Sequence, residues 1–152
     1  NISAIGIDTK TEKFNTCNEN GAEFSVSPME NDLKNKIADF SKSNDLDVVI
    51  DFVSSKSSLE LGCSILGKGG RLVTLGGSGE QFLANSADML VKELELIGSR
   101  YCTKQELKES LDLYARGLIE PLVSVKTDFD GAEGLHEKIE KGEITGRAGI
   151  LI

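Results

Sequence analysis

The residues best placed for chemistry stand where apolar runs end. In ISAIGID, Asp8 closes such a run, and Lys13 follows within the first turn of a polar stretch. A short carboxylate at the carboxyl end of a parallel strand accepts hydrogen bonds from both hydroxyls of a ribose and repels a 2′-phosphate. Asp8 is therefore a candidate for choosing NAD over NADP, and the Lys13 ammonium is a candidate for the same ribose. A carboxylate after a strand also serves as an ordinary turn residue, and a lysine there as a solvated one. In a dinucleotide-binding βαβ unit, a glycine-rich phosphate loop lies about 20 residues ahead of that carboxylate. No such loop stands ahead of Asp8, so the sequence is expected to open one strand into the unit.

Three later runs end in the same manner, at Phe52-Val53-Ser54, Leu75-Gly76-Gly77 and Gly98-Ser99-Arg100. If the runs are parallel strands, these turns converge on one crevice. Glycines at 76, 77 and 79 allow a ligand close to the backbone, and they equally allow a plain tight turn.

Composition narrows the classes of partner. The chain has 152 residues, 39% hydrophobic and 28% charged, which is ordinary usage for a folded domain with a core. A formal charge of −8 repels phosphate backbones and anionic lipid surfaces, leaving small molecules and protein surfaces as partners. No apolar run approaches the roughly 20 residues that span a bilayer, and a cytoplasmic location is expected. Cys17, Cys63 and Cys102 are widely spaced, with no C-x-x-C pair and one histidine, His136, in the whole sequence. That pattern argues against a zinc ribbon or a disulfide framework and for reduced, mostly buried thiols. His136 reads as a surface residue.

The elements that must position these residues alternate between strand and helix. Ile2–Ile7 is a strand, Thr11–Asn20 a polar helix closed by Gly21, and Glu23–Val26 a short strand stopped by Pro28. Asn31 caps a helix carrying Leu33, Ile37 and Phe40 on one face. Leu46–Val53 is a strand buried on both faces, and Leu59–Leu66 a helix ended by Gly67, Gly69 and Gly70. Arg71–Gly77 is a further buried strand, Gln81–Ser86 an outer strand, Ala87–Lys92 a short helix and Glu93–Ser99 a strand. Thr103 caps a helix with the stripe Leu107, Leu111, Tyr114 and Leu118. After Pro121 come a strand in LVSVKTDF, a helix over Gly131–Lys141 and a terminal strand in GRAGILI. The expected fold is α/β, an incomplete doubly wound parallel sheet over residues 1–120, with a strand-helix-strand segment of a second domain over 121–152.

Taken together, GIDTKTEK, LDVVIDFVSS, GKGGRLVTLGG, ELELIGSRYC and GRAGILI resemble the carboxyl-terminal half of a medium-chain, zinc-type alcohol dehydrogenase. The resemblance runs over essentially the whole chain, and the order of the blocks is more specific than any one of them. It implies a Rossmann nucleotide domain followed by a return to a catalytic domain. It also implies roles for particular residues: Asp8 and Lys13 at the adenosine ribose, Val53 over the adenine, Leu75 and Gly76 on the nicotinamide side. The backbone at Ser99 and Tyr101 would meet the carboxamide, and Arg147 the pyrophosphate. Without the family, Arg147 reads equally well as a surface arginine at a strand start.

The sequence departs from the family in lacking the first strand, the glycine-rich loop and the zinc-binding catalytic domain, and its cysteines match no zinc ligand. The expected function is the cofactor-binding portion of an NAD-dependent alcohol dehydrogenase, with zinc in the absent domain only and no catalysis by this chain alone. The alternatives are a zinc-independent quinone or enoyl reductase of the same superfamily, or a non-catalytic nucleotide-binding module. A homo-oligomer is expected, joined through Gln81–Ser86 as an edge strand pairing with its two-fold copy.

Overall fold

Caps and glycines punctuate the chain much as the sequence suggests. A computed structural model describes residues 2–41 and 46–152; Asn1, the first residue of the expected opening segment, lies outside them. The described chain divides into two units, Asn1–Tyr101 and Cys102–Ile152.

The first unit begins with β1 (Ile5–Ile7) and a 3-10 turn (Thr11–Lys13) that runs into α1 (Phe14–Glu19). It continues through β2 (Phe24–Val26), α2 (Leu33–Ser41), β3 (Leu46–Asp51), α3 (Lys56–Ile65), β4 (Leu66–Thr74), α4 (Ser86–Lys92) and β5 (Glu95–Gly98). Ser55 and Ser58 form a reciprocal capping box that starts α3, and the Asn85 side chain accepts from Ala87 N and Asp88 N to start α4. Asp32, rather than the expected Asn31, precedes the first residue of α2, and its carbonyl accepts from Lys36 N at 3.0 Å.

All strand pairings are parallel, as expected of βαβ connections. β1 pairs with β2, and β4 lies between β3 and β5, with Val49 opposite Leu72 and Val73 opposite Ile97. Among the described residues, no strand pairs with the second edge of β1 or of β3. One core nevertheless joins the two pieces: Val26, Leu33, Ile37 and Ile65 are buried together, with Ile5, Phe24, Leu46 and Val49 packed against them. A second cluster, Leu59, Leu66 and Leu72, carries Phe82 and Leu94.

The second unit holds α5 (Lys104–Ala115), β6 (Val123–Thr127), α6 (Ala132–Glu140) and β7 (Arg147–Ile150). Thr103 caps α5 as expected, in a capping box with Glu106. β6 pairs in parallel with β7, and Leu135 of α6 is buried.

Several expectations need correction. β3 is not buried on both faces: Val48 is 47% and Ile50 55% exposed, because no described element covers that side. Gln81–Ser86 is not a strand within the chain. Phe82 turns into the Leu59 cluster, the Leu83 N–H donates to Glu60 Oε1 at 3.1 Å, and Ser86 opens α4. The glycines after α3 sit inside β4, where Leu46 pairs with Leu66 but Val48 with Arg71, so residues 67–70 form an irregular excursion. Cys17 and Cys63 are half-buried and Cys102 is exposed, so the thiols are less buried than expected. His136 is exposed, and no helix among the described residues is long and apolar enough to cross a membrane.

Candidate functional site

The parallel order β3-β4-β5 brings the turns after these strands side by side, and hydrogen bonds tie them together. Leu75 N donates to Asp51 O at 2.8 Å, and Ser99 N to Thr74 O at 2.9 Å, so each ladder continues past its strand. Asp51 Oδ1 accepts from Val53 N at 2.8 Å and from Ser54 N at 2.9 Å, folding the chain back at the end of β3. Ser54 is left-handed at φ 56°, an uncommon state for a non-glycine residue, and is buried. Its hydroxyl is in close contact with the Thr74 hydroxyl, and its carbonyl accepts from the Ser78 hydroxyl.

Gly76 lies against this turn so closely that a Cβ there would be 2.4 Å from Val53 O and 2.8 Å from Phe52 O. No other residue fits without moving backbone. A Cβ on Gly77 or Gly79 would meet nothing within 4 Å, which leaves space beside the turn. The following segment is held on α3: Lys56 N donates to Glu80 Oε2 at 2.6 Å, and Glu60 receives both Leu83 N and the Lys56 ammonium. Those donors hold the Glu60 carboxyl below its ordinary range, the Lys56 hydrogen bond contributing most.

After β5, Tyr101 is another non-glycine residue at positive φ, 58°, and is exposed. The Arg100 guanidinium lies 4.7 Å from the centre of that ring and donates to its hydroxyl.

At the end of β1, Asp8 N donates to Val26 O, and the Asp8 side chain makes two contacts of its own. Oδ1 accepts from Lys10 N at 2.9 Å, and Oδ2 pairs with Lys13 Nζ at 3.4 Å, both side chains of that pair being about one third exposed, 32% and 31%. A carboxylate offers about four acceptor positions, so capacity for further donors remains. Arg147 belongs to the second unit; it is exposed at the start of β7, with its N–H on Leu122 O at 2.7 Å.

The structure thus brings Val53, Leu75, Gly76 and Ser99 onto one cross-tied rim, with Tyr101 two residues on, and pairs Asp8 with Lys13. Sequence reasoning placed Ser54 in the turn after the strand without a role for its side chain, and missed Asp51, Thr74 and Ser78, which build the rim with it. The available signal was Asp51, an acidic residue closing an apolar run two positions before Val53. No group of three or more His, Cys, Asp or Glu among the described residues could hold a metal ion.

Parallel strands alternating with helices, with Gly76 and Gly77 in the turn after β4, define a Rossmann-type α/β fold. The chain belongs to the zinc-binding dehydrogenase family, whose sequence profile matches residues 1–116. An NAD-dependent alcohol dehydrogenase from Sulfolobus acidocaldarius is 26% identical over 145 residues, covering 94% of this chain and 41% of that protein. The crystal structure of the alcohol dehydrogenase from Aeropyrum pernix superposes with a TM-score of 0.83 at 28% identity, over 95% of this chain and 41% of that one. A crotonyl-CoA carboxylase/reductase in complex with NADP shares the fold, with a TM-score of 0.87 at 15% identity over 99% of this chain and 43% of that one. The chain spans about two fifths of the length of the curated relatives it matches.

Proposed function

We propose that this chain is the cofactor-binding portion of an NAD-dependent, zinc-type alcohol dehydrogenase that moves hydride between an alcohol or carbonyl substrate and NAD. The observation that carries the reading is the rim at the carboxyl ends of β3, β4 and β5, in which Gly76 is seated on the Val53 carbonyl with open space beside Gly77 and Gly79. Those features fit a dinucleotide, and NAD supplies the hydride chemistry when bound.

In this reading Asp8 accepts from the ribose hydroxyls and repels a 2′-phosphate, while Lys13, already paired with Asp8, adds its charge at the same place. Val53, 66% exposed, is free to cover the adenine. Leu75 and Gly76 line the nicotinamide side. Ser99 offers its carbonyl to the carboxamide, since its N–H is engaged by Thr74, and Tyr101 adds its backbone beside it. Arg147 serves the pyrophosphate through its guanidinium fork. The nucleotide domain is 1–120 and the return to the catalytic domain 121–152. In this reading zinc is held by the catalytic domain of the whole enzyme, and this chain alone is inactive.

The reading includes a cytoplasmic location and a homo-oligomer joined through residues 81–86. With Phe82 turned inward, Leu83, 80% exposed, is the apolar contact left for that joint. A strictly monomeric full-length protein in light scattering at micromolar concentration would remove the joint. The function itself is tested with the full-length protein and NAD across a panel of alcohols and aldehydes. No substrate-dependent change in NADH absorbance would overturn it.

A zinc-independent quinone or enoyl reductase of the same superfamily is the second reading, and a crotonyl-CoA carboxylase/reductase shares this fold. Reduction of an activated carbon–carbon double bond that persists after zinc chelation would select it.

A further inference from the structure

β3 ends in an acid that none of the roles above uses. Asp51 is only 7% exposed, and its two oxygens differ sharply. Oδ1 accepts two peptide N–H groups, those of Val53 and Ser54, whereas Oδ2 is buried with no hydrogen-bond partner among the described residues. Burying an unsatisfied acceptor is unfavourable, and an apolar residue would avoid it. An apolar residue could not receive the two N–H groups, however, and the shape of the whole rim follows from those two bonds.

They hold Ser54 in the left-handed region, which in turn aims the Ser54 hydroxyl at Thr74 and its carbonyl at Ser78. They also set the Val53 carbonyl against Gly76, leaving the Phe52 and Val53 side chains 73% and 66% exposed. The Asp51 carbonyl meanwhile receives Leu75 N, so one residue ties the turn after β3 to the turn after β4 through both its backbone and its side chain.

We propose that Asp51 is a positioning residue for the adenosine end of the cofactor. Through Oδ1 it fixes Val53 relative to Gly76 and so holds the adenine slot open at one width, without touching the cofactor. This rests on the reading of the rim as a dinucleotide site. It is geometry rather than charge that matters: an amide oxygen in the place of Oδ1 does the same work, and a carboxylate displaced by one methylene does not.

The test uses the full-length protein with ADP-ribose as the probe, titrated calorimetrically, alongside steady-state kinetics with NAD. Asp51→Asn is expected to bind within about threefold of the wild type, since it keeps an acceptor at Oδ1. Asp51→Glu and Asp51→Ala are expected to bind about tenfold more weakly, with KM for NAD rising by the same factor and kcat at saturating NAD unchanged. Should Asp51→Ala fail to fold, the Asn and Glu variants still decide. Wild-type binding by Asp51→Glu, or Asn binding as weakly as Glu, overturns the proposal, as does a loss confined to kcat. Failure of the wild type itself to bind ADP-ribose overturns the nucleotide reading and this proposal with it, a result distinct from any difference among variants.

Discussion

Replacing Gly76 by alanine is the sharpest perturbation of the rim, because the obstacle is backbone rather than a side chain that could rotate away. The added Cβ would lie 2.4 Å from Val53 O, 2.5 Å from Val53 C and 2.8 Å from Phe52 O. Carbon and oxygen rest at about 3.3 Å or more, so the two turns must separate by roughly 0.9 Å. The turn after β3 resists that movement, since Asp51 holds Val53 and Ser54 and Ser78 holds the Ser54 carbonyl. Overpacking of this kind costs about 1–3 kcal/mol, which for a domain of this size lowers the melting temperature by about 2–12 °C. The same displacement moves Val53, and misplacement on the order of 1 Å in a binding constellation costs up to about a hundredfold. Gly76→Ala in the full-length protein should therefore both melt earlier and bind NAD at least about tenfold more weakly. Gly77→Ala supplies the control for stability: its Cβ would meet nothing within 4 Å, and a change in unfolding free energy within about 0.5 kcal/mol is expected. Scanning fluorimetry and calorimetric titration read both quantities. If Gly76→Ala melts and binds NAD as the wild type does, the close approach of the two turns has no role in the site.

Asp8→Ala should weaken NAD by about 1.5–3 kcal/mol and improve NADP relative to it, because one ribose acceptor and one repulsive charge are lost together; an unchanged ratio of the two dissociation constants contradicts the ribose role. Among the thiols, Cys102 is exposed, whereas burial pushes the Cys63 thiol up from its ordinary range, so limiting iodoacetamide should label Cys102 first. Peptide mapping that finds Cys63 alkylated fastest would show the α3 face to be open. Residues 1–152 expressed alone should melt without a sharp cooperative transition, since among the described residues no strand pairs with the second edge of β1 or of β3, and Val48, Ile50 and Phe52 are exposed. One steep transition in a monomer would refute that.

How far the sequence foretold this structure depends on whether the information was local. Thr103 and Glu106 stand at capping-box spacing, and the structure closes that box; Gly21, placed as a C-cap, has φ 103°. The order of strands and helices was readable for the same reason, since each apolar run carries its own punctuation. Asp47 and Asp51 show where that stops. Both interrupt one apolar run, yet Asp47 is exposed and Asp51 buried, and the difference is set by what lies beside the strand. Asp51 stands opposite Thr74 at the last rung of the ladder with β4, where the chain must turn and its peptide N–H groups need an acceptor. Phe82 fails the same test from the other side. Beside Leu83 it reads as part of an edge strand, but in the chain it is drawn into the cluster under β4, and the strand is given up.

The candidate site divides along the same line. Asp8, Lys13 and the glycines could be proposed from the sequence because their residue types announce a carboxylate, a cation and a permissive backbone. Ser54 announces nothing: a left-handed serine is indistinguishable in sequence from the serines around it, and its conformation is imposed by Asp51 Oδ1 and the Thr74 hydroxyl. A glycine at position 54 would adopt that φ without strain but would lose the hydroxyl contact with Thr74. The serine thus accepts a backbone cost in return for a second tie between the turns after β3 and β4. The residues that touch a ligand can be chosen from sequence by their chemistry; those that hold them in place follow from strand register, which appears once the strands are paired.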